Sequence, residues 1–364
     1  MINLQRLAKA QEHMRENKID AYMVMTHDDF AYFFGTDRYQ PRAIIPAEGQ
    51  PILITFRGEE AEISKEMGTD RVKVFASVGQ QMKDVITTLQ EIKGERAGLT
   101  IGFQMGFGTP AFLLEMFKKM NAYATIVDIA PVMEGMRLLK DETEITLIRR
   151  AAEIAIIGMR AAEKTLKPGV TENDVCAEAE YAMRKAGSGG TATPIFVNSG
   201  ARSGWLHGTA TDKVIAADEL VVIDLVPRYK GYCANVCRTF VAGGEPSKEQ
   251  QQLIDTYKEA KNEAVKLLRP GNHMKDMDAA ARVVFTRHNL GESFINGFGH
   301  GIGLGFEEKP MPTIVPTDAA VEIQAGMVLT AGHSVLSVPG VGGVRFEDVY
   351  VVGKDGNEWL TQYP

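Results

Sequence analysis

The stretch LVVIDLVPRYKGYCANVCRT, residues 220–239, decides the fold of this chain. Two apolar, β-branched runs predict strands over 219–226 and 231–242, and Asp224 stands near the end of the first. A carboxylate in such a run is costly to bury without a partner. We therefore expect Asp224 to line a pocket; the alternative is an Asp that caps the following loop.

Three later segments carry further polar residues in apolar surroundings. GHGIGLGFEEKP (299–310) places His300 between two glycines, which allow the backbone to pass close to a bound group. GMVLTAGH (326–333) and GGVRFED (342–348) follow it. Glu347 lies in a strand of alternating apolar residues, so its burial requires a partner such as Arg345, His300 or a cation.

Taken in order, these segments resemble the pita-bread superfamily of methionine aminopeptidases, Xaa-Pro peptidases (prolidases) and creatinase. The resemblance covers essentially the whole chain and implies an α+β fold. A small α/β creatinase/prolidase-type amino-terminal domain would span residues 1–134, and a pita-bread catalytic domain would span residues 135–364. The junction 136–155 also looks like the entry helix of the family.

Helix signals agree with a second domain built from two related halves. One helix is predicted over 141–165, and another begins at Thr171, where TEND matches an N-cap with an acid three residues later. A third is predicted over 247–268. The first and third helices each end in a Pro-Gly pair, which indicates two similar helix-and-strand units.

The resemblance also implies a metal site, since the peptidases of the superfamily hold two metal ions with Asp, Asp, His, Glu and Glu. The matching positions here are, in order, Asp224, Asn235, His300, Gly332 and Glu347. A neutral amide and a glycine should bind hard cations far more weakly than two carboxylates. We therefore expect that the dimetal site is lost and that no cofactor is needed; one weak divalent metal is the alternative.

Creatinase, which works without metal, is similar to this chain in a Pro and a Gly-Tyr pair, here Pro227 and Gly231-Tyr232. This likeness implies that His207, in the loop before the Asp224 strand, is the general acid/base, because an imidazole titrates near neutral pH. A structural loop histidine is the alternative. Cys237 replaces a substrate-binding Glu of creatinase, so creatine itself is not expected as the substrate.

Four further features complete the predicted site. Glu307-Glu308 stands where the peptidases show His-Glu, and Glu307 would bind a cationic substrate unless it is only a solvated charge. His333 is a candidate replacement acid/base or ligand. Arg42 would hold a substrate carboxylate across a subunit interface, unless it is a surface residue. The predicted catalytic residues are His207, Glu347, His300 and His333, and the predicted substrate-binding residues are Arg42, Asp224, Tyr232, Asn235, Glu307 and Glu308.

Composition excludes several classes of protein. The net charge of −7 over 364 residues offers no basic face for nucleic acid. No apolar run approaches the roughly 20 residues that span a bilayer. Three cysteines give no disulfide framework, which favours a cytoplasmic location.

The sequence therefore predicts a metal-independent, creatinase-like hydrolase that cleaves a C–N bond of a small, carboxylate-bearing substrate and acts as a homodimer. Two alternatives stay open. One is a metal-dependent Xaa-Pro dipeptidase or aminopeptidase with a degraded metal site. The other is a small-molecule lyase or a non-catalytic ligand-binding homologue.

Overall fold

A computed structural model describes residues 2–38, 42–94, 98–106, 108–294 and 297–364. The chain divides into two units, Met1–Arg137 and Leu138–Pro364, whereas the sequence placed the boundary after residue 134. Within the described ranges, no helix combines the length and the apolar character needed to cross a bilayer.

The first unit is built on a mixed six-stranded sheet with the order β4-β3-β2-β1-β5-β6. Its strands are β1 (Ala21–Val24), β2 (Arg42–Pro46), β3 (Ile52–Phe56), β4 (Val72–Phe75), β5 (Thr100–Phe103) and β6 (Thr125–Asp128). Its helices are α1 (Leu4–Glu16), α2 (His27–Phe34), α3 (Glu60–Met67), α4 (Val78–Lys93) and α5 (Ala111–Met120), and α6 (Ala130–Leu138) ends at the unit boundary. β1 pairs antiparallel with β2 and parallel with β5, and β2 and β3 form an antiparallel hairpin.

In its described residues, the second unit contains four long helices and several short antiparallel sheets. Its helices are α7 (Glu142–Thr165), α8 (Glu172–Lys185), α9 (Lys248–Val265) and α10 (Met274–Arg287). Its strands are β7 (Gly190–Thr191), β8 (Phe196–Ser199), β9 (Leu220–Leu225), β10 (Pro227–Tyr229), β11 (Tyr232–Cys233), β12 (Val236–Val241), β13 (Val328–Ala331), β14 (Leu336–Val338), β15 (Gly342–Val344), β16 (Asp348–Val351) and β17 (Glu358–Trp359).

Capping residues explain where the long helices start. Three of these helices are each preceded by a capping residue, namely Asp141, Thr171 or Ser247, whose side chain accepts a hydrogen bond from the backbone N–H three residues later. The side chain of that later residue accepts a hydrogen bond from the backbone N–H of the capping residue. The helix starts that the sequence predicts at these places are therefore confirmed.

Each half of the second unit has its own hydrophobic core. In one, the α7–α8 pair packs on the β8-β9-β12 sheet through residues such as Ile154, Val175 and Ile223. In the other, Tyr257 and Phe285 of the α9–α10 pair belong to one core with residues of the β13-β16-β17 sheet. The α+β fold that the sequence predicts, with a second unit of two helix-and-sheet halves, is confirmed.

Candidate active site

The strand register of the second unit brings two distant carboxylates to one face. Asp224 of β9 lies opposite Cys237 of β12, and Cys237 forms an isolated antiparallel bridge with Glu347, just before β16. Residues directly opposite each other in antiparallel strands project to the same side of the sheet. Asp224 and Glu347 are therefore neighbours across the sheet.

Arg345 joins these two carboxylates. It lies two residues before Glu347 and so projects to the same face. Its Nη1 lies 2.9 Å from Oδ2 of Asp224, and its Nη2 contacts Oε2 of Glu347. All three side chains are buried. The sequence suggested Arg345 only as one possible partner of Glu347; the spacing Arg-Phe-Glu on a strand was the signal that would have placed it in the site.

The Asn235 amide acts as a donor toward Asp224. Its Nδ2 donates to Oδ1 of Asp224 at 2.5 Å and, more weakly, to the carbonyl of Leu225 at 3.4 Å. Asn235 lies between β11 and β12, so the strand predicted over 231–242 is interrupted there. Just before this gap, the backbone N–H of Cys233, the last residue of β11, donates to the carbonyl of Gly303 at 2.7 Å.

Burial and neighbouring charge move the pKa values of the two carboxyls in opposite directions. Burial raises the pKa of Asp224; Arg345 opposes this and the charge of Glu347 adds to it. Burial also opposes ionisation of Glu347, but the Arg345 guanidinium and the His300 and His333 side chains together outweigh it and hold the pKa of that carboxyl well below its usual range.

His300 has a defined orientation beside Glu347. Its Nδ1 donates to the carbonyl of Gly301 at 2.9 Å, so in the neutral ring Nε2 carries the lone pair. Nε2 lies 3.3 Å from Oε1 of Glu347. Burial disfavours the charged ring, but the Glu347 carboxylate more than compensates, so the pKa of His300 is raised.

His333 completes the cluster from the end of β13. Its Nε2 lies 3.4 Å from Oε1 of Glu307, and its Nδ1 lies 3.5 Å from Oε1 of Glu347. Its ring stands at 89° to that of His300, with the centroids 4.7 Å apart. Burial lowers the pKa of His333, which favours the neutral ring, the form in which histidine binds metals.

The backbone at Gly332 excludes a side chain. Its φ is +105°, and a Cβ there would lie 1.9 Å from the carbonyl oxygen of Phe346. L-residues rarely adopt that conformation. The main-chain conformation at Gly332 therefore does not accommodate the Glu ligand that the resemblance implies at this position.

His300, Glu307 and His333 form a group that could hold a metal ion, with one ligand atom from each lying within 4.8 Å of the others. Two imidazoles and a carboxylate suit a borderline divalent cation. Glu347 Oε1, fully buried beside both imidazoles, has no hydrogen-bond partner among the described residues. These donors fit a divalent metal.

The cluster lines a cavity of about 430 Å³. His207 lies on its exposed side, with its ring centroid 6.2 Å from that of Phe196. Of the predicted site residues, His207, Asp224, Asn235, His300, Glu307 and His333 line this cavity. Its apolar wall was missed from the sequence, because isolated apolar residues in loops carry no distinguishing signal; it includes Pro194, Phe196, Leu206, Val226, Phe306 and Ile314.

Three predicted substrate-binding residues have other partners. Tyr232 donates its hydroxyl to Oε1 of Glu144 at 2.9 Å, in the interior. Glu308 pairs with the buried Lys140, whose Nζ lies 2.8 Å from Oε1. Arg42 lies in the first unit, where its Nη1 donates to Oε1 of Gln81 at 2.7 Å.

Comparisons with known proteins identify relatives along the whole chain. Residues 146–354 match the model of metallopeptidase family M24, and residues 6–139 match that of the creatinase/prolidase N-terminal domain. The Xaa-Pro dipeptidase of Pyrococcus horikoshii is 32% identical over 98% of this chain and 97% of its own length. A crystal structure of the prolidase from Pyrococcus horikoshii superposes with a TM-score of 0.88 at 29% identity, covering 99% of each chain. An Xaa-Pro dipeptidase structure from Bacillus anthracis gives a TM-score of 0.87 at 27% identity, covering 99% of this chain and 98% of that one.

These findings correct one prediction. The expectation of no cofactor is wrong, because the matching family is one of metallopeptidases and the His300, Glu307 and His333 group is suited to a metal ion. The physical reason for the error is that the loss of two carboxylates was taken to remove metal binding, whereas the fold brings Glu307 and His333 together with His300. The metal-independent, creatinase-like character is likewise not supported by these relatives.

Proposed function

Because the chain belongs to metallopeptidase family M24, and is thus a hydrolase of that family, we propose that it is a metal-dependent dipeptidase acting on small Xaa-Pro substrates. The observation that carries this proposal is the buried group of His300, Glu307 and His333 on the wall of a cavity. The full-length similarity to enzymes named Xaa-Pro dipeptidase supports the substrate class.

The cavity suits a small substrate with one apolar ring. Its volume of about 430 Å³ lies in the range of small-molecule sites. Phe196, Phe306 and Ile314 provide an apolar wall against which a pyrrolidine ring would pack. Its polar lining includes His300, Glu307 and His333, which would orient the peptide bond.

The side chains have separable tasks in this proposal. His300, Glu307 and His333 would hold the cation, which when bound polarises the carbonyl of an amide substrate. His207, on the exposed side of the cavity, would transfer a proton to the leaving nitrogen as the C–N bond breaks, after a water molecule has added to the carbonyl carbon. Arg345 keeps Asp224 and Glu347 fixed while the substrate binds.

The test is a hydrolysis assay on two dipeptides that differ only in carboxy-terminal proline or alanine. We expect cleavage of the proline dipeptide, its loss after chelator dialysis, and its recovery with Mn²⁺ or Co²⁺. His300→Ala should abolish turnover, whereas His288→Ala, whose residue pairs with Glu259 outside the cavity, should not. Turnover that survives chelation, or a folded protein that cleaves neither dipeptide with either metal, would refute the proposal.

A further inference from the structure

We propose that His300, Glu307 and His333 are the ligands of the divalent cation, and that Asp224 serves instead to hold Arg345. This assignment rests on the metal dependence proposed above and names the residues that bind the metal. It differs from the five ligand positions that the resemblance implies, which include Asp224 and Glu347 but neither Glu307 nor His333.

The first argument is electrostatic. The guanidinium of Arg345 already lies between Asp224 and Glu347, with one terminal nitrogen toward each carboxylate. Arginine does not lose its proton in proteins, so this positive charge is permanent. A metal ion placed between the same two carboxylates would meet an adjacent like charge in a buried site, which is costly.

The second argument is that the donor atoms of the three proposed ligands converge. His300 is fixed by its bond to the Gly301 carbonyl, an arrangement typical of histidines that bind metal through the other nitrogen. His333 Nε2 and Glu307 Oε1 are 3.4 Å apart. Such a short approach of two ligand atoms is the spacing found around a shared cation.

The third argument is an unsatisfied atom. Oε1 of Glu347 is fully buried, faces both imidazoles, and has no hydrogen-bond partner in the described part of the chain. A buried, unsatisfied carboxylate oxygen is costly unless a cation approaches it. Arg345 holds the other oxygen of the same carboxylate and so directs Oε1 toward the histidines. Arg345 is a positioning residue in this arrangement.

The experiment measures metal binding without reference to activity. Protein freed of metal by chelator dialysis is titrated with Mn²⁺. The electron paramagnetic resonance signal gives the concentration of free Mn²⁺ at each step, and the bound concentration follows by difference. Glu307→Gln and His333→Ala should each weaken binding at least about tenfold, the lower end of what even indirect changes near a metal cost. Asp224→Asn, which keeps an oxygen for Arg345, should bind within about threefold of the wild type. His288→Ala serves as the matched background variant.

Opposite results would overturn the assignment. If Asp224→Asn abolishes Mn²⁺ binding while Glu307→Gln and His333→Ala bind as the wild type, the cation lies at the carboxylates. Circular dichroism confirms folding of each variant, and the nearly isosteric Glu307→Gln remains informative if His333→Ala does not fold.

Mn²⁺ binding that depends on these three residues without dipeptide cleavage would refute the proposed function alone. Metal-dependent cleavage with unchanged binding in Glu307→Gln and His333→Ala would refute this inference alone.

Discussion

At the scale of single residues, Arg345 is the side chain on which the electrostatics of the cavity depend. It is the residue whose nitrogens contact both Asp224 and Glu347. Its Nε is buried and lacks a hydrogen-bond partner in the described ranges. The burial of the guanidinium charge is therefore compensated by the two carboxylates that its terminal nitrogens contact. Removing it would leave two acids close together in a buried site.

We therefore expect Arg345→Met to lower the free energy of unfolding by about 3–5 kcal/mol, the usual effect of deleting one partner of a buried ion pair. Urea denaturation of metal-free protein measures this change. Arg149→Met is the matched control, because Arg149 pairs with Glu358 at the surface at 2.7 Å and should contribute only about 0–1 kcal/mol. Equal losses in the two variants would contradict the role given to Arg345.

At the scale of elements, the loop over residues 199–211 carries His207 and is attached at both ends to one buried carboxylate. Glu172, at the start of α8, accepts hydrogen bonds from the backbone and hydroxyl of Ser199, both at 2.9 Å. It also accepts from Nε of Arg202 at 3.2 Å, and from the backbone and hydroxyl of Thr211 at 3.1 and 2.8 Å. Five donors converge on a carboxylate, so an amide in its place would direct its own NH₂ group against donors.

We expect Glu172→Gln to loosen this loop and so to misplace His207. In a Trp359→Phe background, Trp205 is the one remaining tryptophan, and its fluorescence should become more sensitive to acrylamide quenching. Turnover of the proline dipeptide should fall by roughly tenfold to a hundredfold, the scale of loss when a reacting group is displaced by about 1 Å. Glu178→Gln on the exposed face of α8 is the control. Unchanged quenching and turnover in Glu172→Gln would show that the loop does not depend on this carboxylate.

At the scale of the whole molecule, assembly as a homodimer remains a prediction. It came from the expectation that Arg42 acts across a subunit interface, and closed twofold dimers are the commonest soluble oligomers. Sedimentation velocity at assay concentration should show a dimer. Arg42→Lys should reduce turnover, because an ammonium group cannot reproduce a bidentate contact with a carboxylate, whereas Arg57→Lys, an exposed position of the same unit, should not. An active monomer would remove Arg42 from the site.

The sequence by itself determined the architecture of this protein. Helix starts at Asp141, Thr171 and Ser247 depend on a side chain and a backbone amide three residues apart, which is local information. The strand that contains Asp224 was evident from its β-branched run for the same reason. The order of the segments around Asp224, His300 and Glu347 then indicated the family and most of the cavity.

Only the tertiary structure decided how the polar residues divide into partners. The strand register brings Asp224 and Glu347 close together. The same register places Arg345 where it contacts both carboxylates. Glu307 enters the cavity, whereas its neighbour Glu308 turns to Lys140. Tyr232 likewise bonds to Glu144 of α7, far away along the chain. Adjacent residues of one type differ only in the direction in which their side chains project, and that direction is set by packing between segments that the sequence separates widely.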